Sequence, residues 1–309
     1  MILRKHIARV LLSASAWLIA TGLCVGFSAH AKLIEKIIKV PVKVTDAFGK
    51  VIEQDDVVTL YFDDTTTQPR PIAVINHGRA VEPEQRAKFG RATMITNAPW
   101  FAAMGFLVVV PTRLGYGVTG GDDVEDTGSN CQNKNYPPGY EAAAVQTLQI
   151  LEFVRKRVDV LPDRTLVLGA SFGGATAITL AAKNPPGVLA AINFAGGGGG
   201  NPDAFPQQPC GTNRLKRMFA DYGRTARIPT LWIYSENDQW MGPKYPREWY
   251  ETFKAEGGVG EFVMFPPNGK DGHGLFAQDP GVWRPTALEF LRAHGYPDLK
   301  LKEKEEEKK

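Results

Sequence analysis

The sequence has few cysteines, few histidines and little excess charge. Its 309 residues include three cysteines and five histidines, and 36 basic side chains stand against 33 acidic ones, giving a formal net charge of +3. A chain this close to neutral offers no electrostatic reason to bind nucleic acid or an anionic lipid surface. It has no internal repeat, and its length suits one large α/β domain better than two.

The longest apolar run lies at the N-terminus and has the order of an export signal. A basic segment precedes the apolar residues 10–27, and Ala29 and Ala31 supply the small residues of a cleavage site. We predict a signal peptide over residues 1–31 and a periplasmic or secreted protein without stable membrane association after cleavage. An uncleaved membrane anchor stays open as the alternative, because the apolar run is long.

Cleavage would leave only two cysteines, Cys131 and Cys210, and a formal charge of zero. In an exported protein, two cysteines most simply form a disulfide. The bond would close a loop of roughly 80 residues, for which the chain-entropy argument gives about 4 kcal/mol of stabilisation. The competing interpretation is two unrelated thiols.

Strand and helix patterns alternate along residues 32–298, which we predict to form one domain. Strands are expected over residues 36–45, 57–62, 71–76, 106–110, 188–194, 230–234 and 261–265, together with an apolar run that begins at Thr165. Helices are expected over residues 96–104, 140–158, 213–222, 245–255 and 283–294. This alternation predicts the α/β class, with a mostly parallel sheet covered by helices on both faces.

Three segments stand apart from this alternation. Residues 111–138 form a long polar loop rich in glycine, which predicts a functional surface loop. Residues 201–227 form the largest insertion, which we interpret as cap-like. The lysine- and glutamate-rich tail 299–309 is expected to be solvated and to have no role in chemistry.

The segment from Thr165 to Thr176 reads TLVLGASFGGAT and predicts a strand, a sharp turn at Ser171 and a helix. Gly169 and Gly173 flank the serine where side chains would collide as strand and helix meet. This is the G-x-S-x-G pattern of a nucleophile elbow, and its position between a strand and a helix is the context that the pattern requires. The alternative is a glycine-rich turn without chemistry.

A serine hydroxyl needs a base, and three histidines remain after residue 31. His294 falls at a predicted helix end, where it would interact with the last carbonyls. His77 ends a predicted strand. His273 lies in a glycine-flanked loop that can reach over the sheet edge, so we predict it to be the general base.

The base needs an orienting carboxylate, and Asp238 directly follows the strand that ends near Tyr234. The chain order serine, acid, histidine is the one associated with this elbow. Glu236 is the nearest rival. Asp271 is another, although it is close in sequence to the histidine that it would have to face.

A tetrahedral intermediate needs donors for its oxyanion. We predict the backbone N–H groups of Phe172, next after the serine, and of Arg79, in the turn after the strand that ends at Asn76. The alternative is that this turn is only a tight connection. Weaker candidates for substrate binding are His77, Gly78, Arg113, Tyr116 and Trp240. The arginines 79 and 113 would favour an anionic or polar substrate unless they are paired with acids.

Five segments in order, INHGR, TRLGYG, GASFGG, SENDQW and DGHG, resemble the α/β-hydrolase superfamily, and most closely its dienelactone-hydrolase-like and acyl-peptidase-like serine hydrolases. The resemblance covers most of the chain from Pro71 to His294. It implies an eight-stranded, mostly parallel sheet, with Ser171, Asp238 and His273 as nucleophile, acid and base. Dienelactone hydrolases carry cysteine at the elbow, and this chain has serine.

The resemblance therefore implies a carboxylic ester hydrolase that acts on a small-molecule ester through an acyl-serine intermediate, without metal or cofactor. Two alternatives remain open. One is peptide hydrolysis, which the absence of an extra gating domain disfavours. The other is a binding protein that has kept the fold and lost the chemistry.

Overall fold

A computed structural model describes residues 32–296 and 298–299 of the chain. The predicted signal peptide over residues 1–31 and the predicted tail beyond Leu299 lie outside the described residues. Along the described part of the chain, no helix is long and apolar enough to cross a membrane.

One sheet of eight strands forms the centre of the fold. The strands are β1 (Leu33–Thr45), β2 (Val51–Asp63), β3 (Arg70–Asn76), β4 (Leu107–Thr112), β5 (Val160–Ala170), β6 (Val188–Phe194), β7 (Thr230–Ser235) and β8 (Gly260–Phe265), in the spatial order β1-β2-β4-β3-β5-β6-β7-β8. Strand β2 is antiparallel to both of its neighbours, and all other pairs are parallel. The structure thus confirms the predicted α/β-hydrolase fold.

Helices cover both faces of the sheet. They are α1 (Pro83–Ala87), α2 (Ala98–Ala103), α3 (Pro137–Val154), α4 (Phe172–Lys183), α5 (Thr212–Thr225), α6 (Lys244–Ala255), α7 (Leu275–Gln278) and α8 (Pro280–Ala293). Helices α2, α7 and α8 share one apolar cluster with the sheet. Helices α3, α4, α5 and α6 contribute to the clusters on the opposite face.

The central strands are apolar on both faces because both faces are covered. Val74, Val109 and Val167 point into the core on the α3 side, whereas Ile75, Val108 and Leu168 point into the core on the α8 side, all without solvent exposure. Each such buried side chain contributes roughly 1.5–3 kcal/mol through the hydrophobic effect. This two-sided core makes the sheet edge a rigid platform for the loops that follow its strands.

The structure differs from the sequence prediction in several places. Strand β2 begins at Val51, before the expected start at residue 57, and pairs with β1 along its whole length. The Asp46 carboxylate caps the tight turn between these strands by accepting hydrogen bonds from the N–H groups of Phe48 and Lys50. Strand β5 begins at Val160, five residues before the expected start. The short helices α1 and α7 were not expected.

In the segment 201–227, which we interpreted as cap-like, helix α5 packs against the sheet. Helix α5 buries Leu215, Met218 and Phe219 in the same apolar cluster as Trp232 of β7 and Trp249 of α6. Its polar side faces solvent, as in an ordinary amphipathic helix that covers a sheet. Only the loop before α5 remains available to border a site.

Candidate active site

The predicted site residues all follow the carboxyl ends of parallel strands. The turn at residues 77–81, called here the β3 turn, follows β3; Ser171 follows β5; Asp238 follows β7; and His273 follows β8. Ligand sites of open α/β sheets lie outside this edge. The topology therefore brings four loops that are distant in sequence to one end of the sheet.

Ser171 has a strained backbone between β5 and α4. Its φ of 56° and ψ of −122° lie in a region that residues other than glycine rarely adopt. The two flanking glycines are required by close packing: a Cβ on Gly169 would lie 2.5 Å from the Gly173 backbone, and one on Gly173 would lie 2.2 Å from the Asn76 carbonyl oxygen. Strand, sharp turn and helix thus hold the serine side chain at the sheet edge, partly exposed.

Asp238 and His273 form a pair at the same edge of the sheet. The His273 Nδ1 atom lies 3.1 Å from Oδ1 and 3.0 Å from Oδ2 of Asp238, which is fully buried. The Asp238 Oδ1 atom also accepts hydrogen bonds from the N–H groups of Trp240 and Met241, at 2.8 and 2.9 Å. Since a carboxylate only accepts, Nδ1 carries the proton and Nε2 is left with a lone pair. This is the tautomer that a general base requires.

The two rival acids, Asp271 and Glu236, have other surroundings in the structure. The Asp271 carboxylate accepts hydrogen bonds from the N–H groups of Gln239 and His273, both at 2.9 Å, so it ties the loop after β8 to the loop after β7. Glu236 is exposed.

The Trp240 ring stacks on the His273 ring, with centroids 5.3 Å apart and planes 28° apart, and so fixes the orientation of the His273 ring. Trp240 therefore contacts the histidine.

No hydrogen bond joins the Ser171 hydroxyl to His273, or to any other residue that the structure describes. Catalytic hydrogen bonds in unliganded sites are often long and tighten when substrate binds. The serine faces the β3 turn: a Cβ on Gly78 would lie 3.4 Å from the Ser171 Cβ and 3.9 Å from its Oγ. Glycine at position 78 thus leaves room next to the serine.

Several residues that we expected to bind substrate are buried instead. Arg113 and Tyr116 have no solvent exposure, and His77 is 1% exposed. Arg113 pairs with the buried Glu125, which also accepts a hydrogen bond from the Tyr116 hydroxyl. Burial, together with the positive charge of Arg113, lowers the pKa of His77 well below its usual value, so this ring is neutral. These three side chains support the β3 turn from inside the fold, which corrects the expectation that they line a pocket.

Arg79 is the predicted site residue whose charge reaches the pocket, yet that charge is satisfied. Its guanidinium forms two hydrogen bonds with Asp123, at 2.9 and 2.6 Å, and one of 2.9 Å with Glu125. Neither Asp123 nor Glu125 was singled out from the sequence, because both are ordinary acids in a polar loop. The pairing removes the reason to expect an anionic substrate.

A pocket of about 390 Å³ opens beside the elbow. Phe172, Tyr140 and Tyr136 stack in sequence along one wall, with the first two ring centroids 4.3 Å apart. The hydroxyls of both tyrosines are bound to backbone carbonyls, and burial raises the pKa of each. The wall therefore presents aromatic faces, and its volume suits a small molecule.

A second wall of this pocket is backbone, formed by Gly198–Gly200. A Cβ on Gly198 would lie 2.7 Å from the Tyr140 hydroxyl, one on Gly199 would lie 2.2 Å from the Tyr136 hydroxyl, and one on Gly200 would lie 2.8 Å from the Trp240 carbonyl oxygen. Each distance is shorter than real contacts allow. The glycine run is therefore a packing requirement that places bare backbone next to a ligand.

Cys131 and Cys210 meet at the rim of the same pocket. They are separate thiols in this structure, unlike the predicted disulfide. Burial and the hydrogen-bonded neighbouring Cys131 raise the pKa of Cys210 to about 11. The two side chains are thus adjacent, and the disulfide stays a prediction that a thiol measurement can test.

His294, the remaining histidine, lies far from the elbow in the fold, with its ring against Phe290 and Nε2 3.5 Å from Glu261. Among the described residues, no group of His, Cys, Asp and Glu side chains could hold a metal ion.

A sequence model of the dienelactone hydrolase family matches residues 87–289, which is more than half of the chain. The chain belongs to the dienelactone hydrolase family. This membership makes it a hydrolase and confirms the resemblance that the motifs indicated. The comparison with curated proteins finds no match.

Several solved structures share the fold of this dienelactone hydrolase family protein. A dienelactone hydrolase-like promiscuous phosphotriesterase from metagenomic libraries is 17% identical over 84% of this chain and 99% of its own, with a TM-score of 0.55. An acetyl xylan esterase from Paenibacillus sp. R4 is 16% identical over 86% and 88%, with a TM-score of 0.55. An esterase from Pyrococcus furiosus is 13% identical over 84% and 91%, with a TM-score of 0.53. At such identities the similarity establishes the architecture alone.

Proposed function

We propose that this dienelactone hydrolase family protein is a serine hydrolase that cleaves carboxylic esters of small molecules through an acyl-serine intermediate. The observation that carries the proposal is the hydrogen-bonded pair of the buried Asp238 and the half-buried His273, which lies at the same sheet edge as the strained Ser171. A carboxylate that fixes the histidine tautomer beside an exposed serine is the arrangement that activates a hydroxyl for attack.

In the proposed reaction, His273 Nε2 takes the Ser171 proton as the hydroxyl oxygen attacks the ester carbonyl carbon. The buried Asp238 carboxylate stabilises the imidazolium that forms. The tetrahedral intermediate collapses when His273 donates this proton to the leaving alkoxide, so an alcohol departs and an acyl-serine remains. The same histidine then deprotonates a water molecule, which attacks the acyl group. His273 returns this proton to the leaving Ser171 oxygen, so the acid departs and the free serine hydroxyl is restored.

The proposed oxyanion donors are the N–H groups of Phe172 and Arg79. Phe172 begins α4, where the amides of the first turn have no partners inside the helix and the helix dipole favours negative charge. The Arg79 N–H forms no hydrogen bond with the residues that the structure describes. Two preorganised donors that are free in the resting site can meet the charge that develops on the substrate oxygen.

The proposed substrate is uncharged near the reacting bond, since Arg79 and Arg113 are neutralised by Asp123 and Glu125. The aromatic wall and the glycine backbone suit a flat or narrow group in the pocket. Similar solved structures include esterases, which agrees with an ester substrate.

Turnover of nitrophenyl esters of graded acyl length tests the proposal, with an aminopeptidase substrate measured in parallel. We expect ester turnover and labelling by a fluorophosphonate, both abolished in Ser171→Ala. Ser235→Ala is the matched control, because Ser235 is a serine at the end of another parallel strand of the same sheet, and it should retain activity. Turnover that survives in Ser171→Ala would show that the nucleophile is wrong.

No turnover and no labelling of the wild-type protein would instead favour a binding protein on the same fold. Faster turnover of the peptide substrate than of any ester would favour a peptidase. Export is proposed from the sequence of residues 1–31 alone, and N-terminal sequencing of the protein recovered outside the cytoplasm tests it.

A further inference from the structure

The β3 turn is held from behind by two arginines, Arg86 and Arg113, called here the arginine clamp. The Arg113 guanidinium donates hydrogen bonds to the carbonyl oxygens of His77, at 2.8 Å, and Gly78, at 3.3 Å. The Arg86 guanidinium donates to the carbonyl oxygens of Ala80, at 3.0 Å, and Val81, at 2.5 Å. Four of the five carbonyl groups of the turn thus accept hydrogen bonds from a positive charge.

The clamp is itself fixed by two acids, one buried and one half-buried. Glu125, whose side chain has no solvent exposure, pairs with Arg113, and Asp123 pairs with Arg86 at 3.0 Å. Both acids also bind the guanidinium of Arg79, the central residue of the turn. The three guanidinium groups of Arg79, Arg86 and Arg113 therefore share two carboxylates in one connected network. Charge-assisted hydrogen bonds of this kind are short and directional, and several in one network restrict each other's geometry.

The Gly78–Arg79 peptide group is the point where the clamp and the proposed chemistry meet. The Gly78 carbonyl accepts the hydrogen bond from Arg113 and a second one, of 2.7 Å, from His77 Nδ1. His77 Nδ1 must be the donor, because Nε2 of the same ring accepts from the Arg113 N–H at 3.3 Å. The N–H of Arg79 belongs to the same peptide group and, since the bond is trans, points the opposite way.

We propose that the arginine clamp positions the Gly78–Arg79 peptide for the reaction, so that the Arg79 N–H is aimed at the oxyanion. Arg113 is the positioning residue that orients and polarises this peptide directly, and Arg86 holds the two carbonyl groups that follow it in the turn. Hydrogen bonds to a carbonyl draw electron density from the amide nitrogen and make its N–H a better donor. The clamp also reaches the other proposed donor residue, because the guanidinium carbon of Arg113 lies 5.4 Å from the centre of the Phe172 ring. This inference rests on the proposed function.

The chain offers a matched control at the other end of the same strand. Arg70 begins β3, is 7% exposed, and donates hydrogen bonds to the carbonyl oxygens of Asp63 and Thr66, at 3.1 and 2.7 Å. It is therefore a buried arginine that holds backbone carbonyls, as Arg113 does, but at the opposite edge of the sheet from Ser171. Arg70→Lys should therefore disturb the fold in the same way as Arg113→Lys. It should not change the orientation of the Arg79 N–H that faces the oxyanion.

The experiment compares Arg113→Lys, Arg86→Lys and Arg70→Lys in the full chain. The readouts are kcat and KM for a nitrophenyl ester, and inhibition by an aryl trifluoromethyl ketone, which forms a tetrahedral adduct with a nucleophilic serine. For Arg113→Lys we expect kcat to fall at least about tenfold, toward the hundredfold to thousandfold loss seen when an oxyanion donor is removed. KM should stay within about twofold of the wild-type value, because the effect is confined to the transition state. The affinity for the trifluoromethyl ketone should fall by the same factor as kcat.

Arg70→Lys should keep kcat and ketone affinity within about twofold of the wild type, even if its melting temperature falls. Arg113→Lys behaving like Arg70→Lys in both readouts would overturn the inference and leave the proposed function intact. If Arg113→Lys does not fold, Arg86→Lys decides: a loss of kcat at constant KM supports positioning by the clamp, and wild-type behaviour overturns it. A wild-type enzyme without turnover that depends on Ser171 would refute the proposed function itself.

Discussion

Replacing Ser171 by glycine should make the protein more stable while it abolishes activity. The φ of 56° and ψ of −122° at Ser171 cost a residue with a Cβ about 1–3 kcal/mol, and glycine adopts them without that cost. Glycine also raises the entropy of the unfolded chain, which offsets about 0.4–1 kcal/mol of the gain. The alanine variant keeps the Cβ and therefore keeps the strain. We expect Ser171→Gly to exceed Ser171→Ala in unfolding free energy by about 1 kcal/mol, which is a few degrees in melting temperature for a domain of this size.

The assay is calorimetry or urea unfolding of the two inactive variants, so that loss of the hydroxyl is common to both. Ser235 provides the control pair, because it lies in β7 with an ordinary strand backbone and is not among the residues of positive φ in the described chain. There glycine should be less stable than alanine by about 0.5–1 kcal/mol. A Ser171→Gly variant that is no more stable than Ser171→Ala would refute the claim that the elbow stores backbone strain.

Three further outcomes are expected. Asp238→Asn should lower kcat on the order of a thousandfold to ten-thousandfold with little loss of stability, since an amide oxygen can keep the two backbone hydrogen bonds but not the charge; kinetics with a melting curve checks this. Asp56 is fully buried, neither of its carboxylate oxygens has a hydrogen-bond partner among the residues that the structure describes, and burial raises its pKa well above the usual value. The wild-type free energy of unfolding should therefore fall as pH rises above the unfolded-state pKa of about 4, by up to about 1.4 kcal/mol per pH unit, and Asp56→Asn should lack this part of the slope; parallel curves of stability against pH would contradict it. Oxidised glutathione should convert the Cys131 and Cys210 thiols to a disulfide with release of two reduced glutathione molecules, and a denaturing thiol titration that still finds both thiols would rule the bond out.

The order of the elements could be predicted from the sequence because each central strand is a continuous apolar run between turn residues. The elbow was visible for a related reason, since Gly169, Ser171 and Gly173 lie within five residues and their packing is local. The pairing of Asp238 with His273 followed from a topological rule, namely that loops after parallel strands meet at one edge.

The role of Arg113 could not be predicted in this way. Its partners are Glu125, in the same polar loop, and backbone carbonyls of the β3 turn, and both contacts exist only after the loop has folded onto the sheet. An arginine beside a predicted pocket is expected to face it, but the buried acid makes the inward position stable. For the same reason, the amphipathic pattern of α5 did not reveal that its apolar side packs on Trp232 rather than over the site.

The run Gly198–Gly200 limits how the substrate range of this enzyme can change. Because any added side chain there would collide with Tyr140, Tyr136 or Trp240, mutation of these three positions would disrupt the fold before it altered selectivity. The polar loop on the other side of the pocket, from residue 126 to residue 135, has no such restriction, and most of it is exposed or half-buried. A mutant library meant to shift acyl preference should therefore randomise that loop and leave the glycines unchanged.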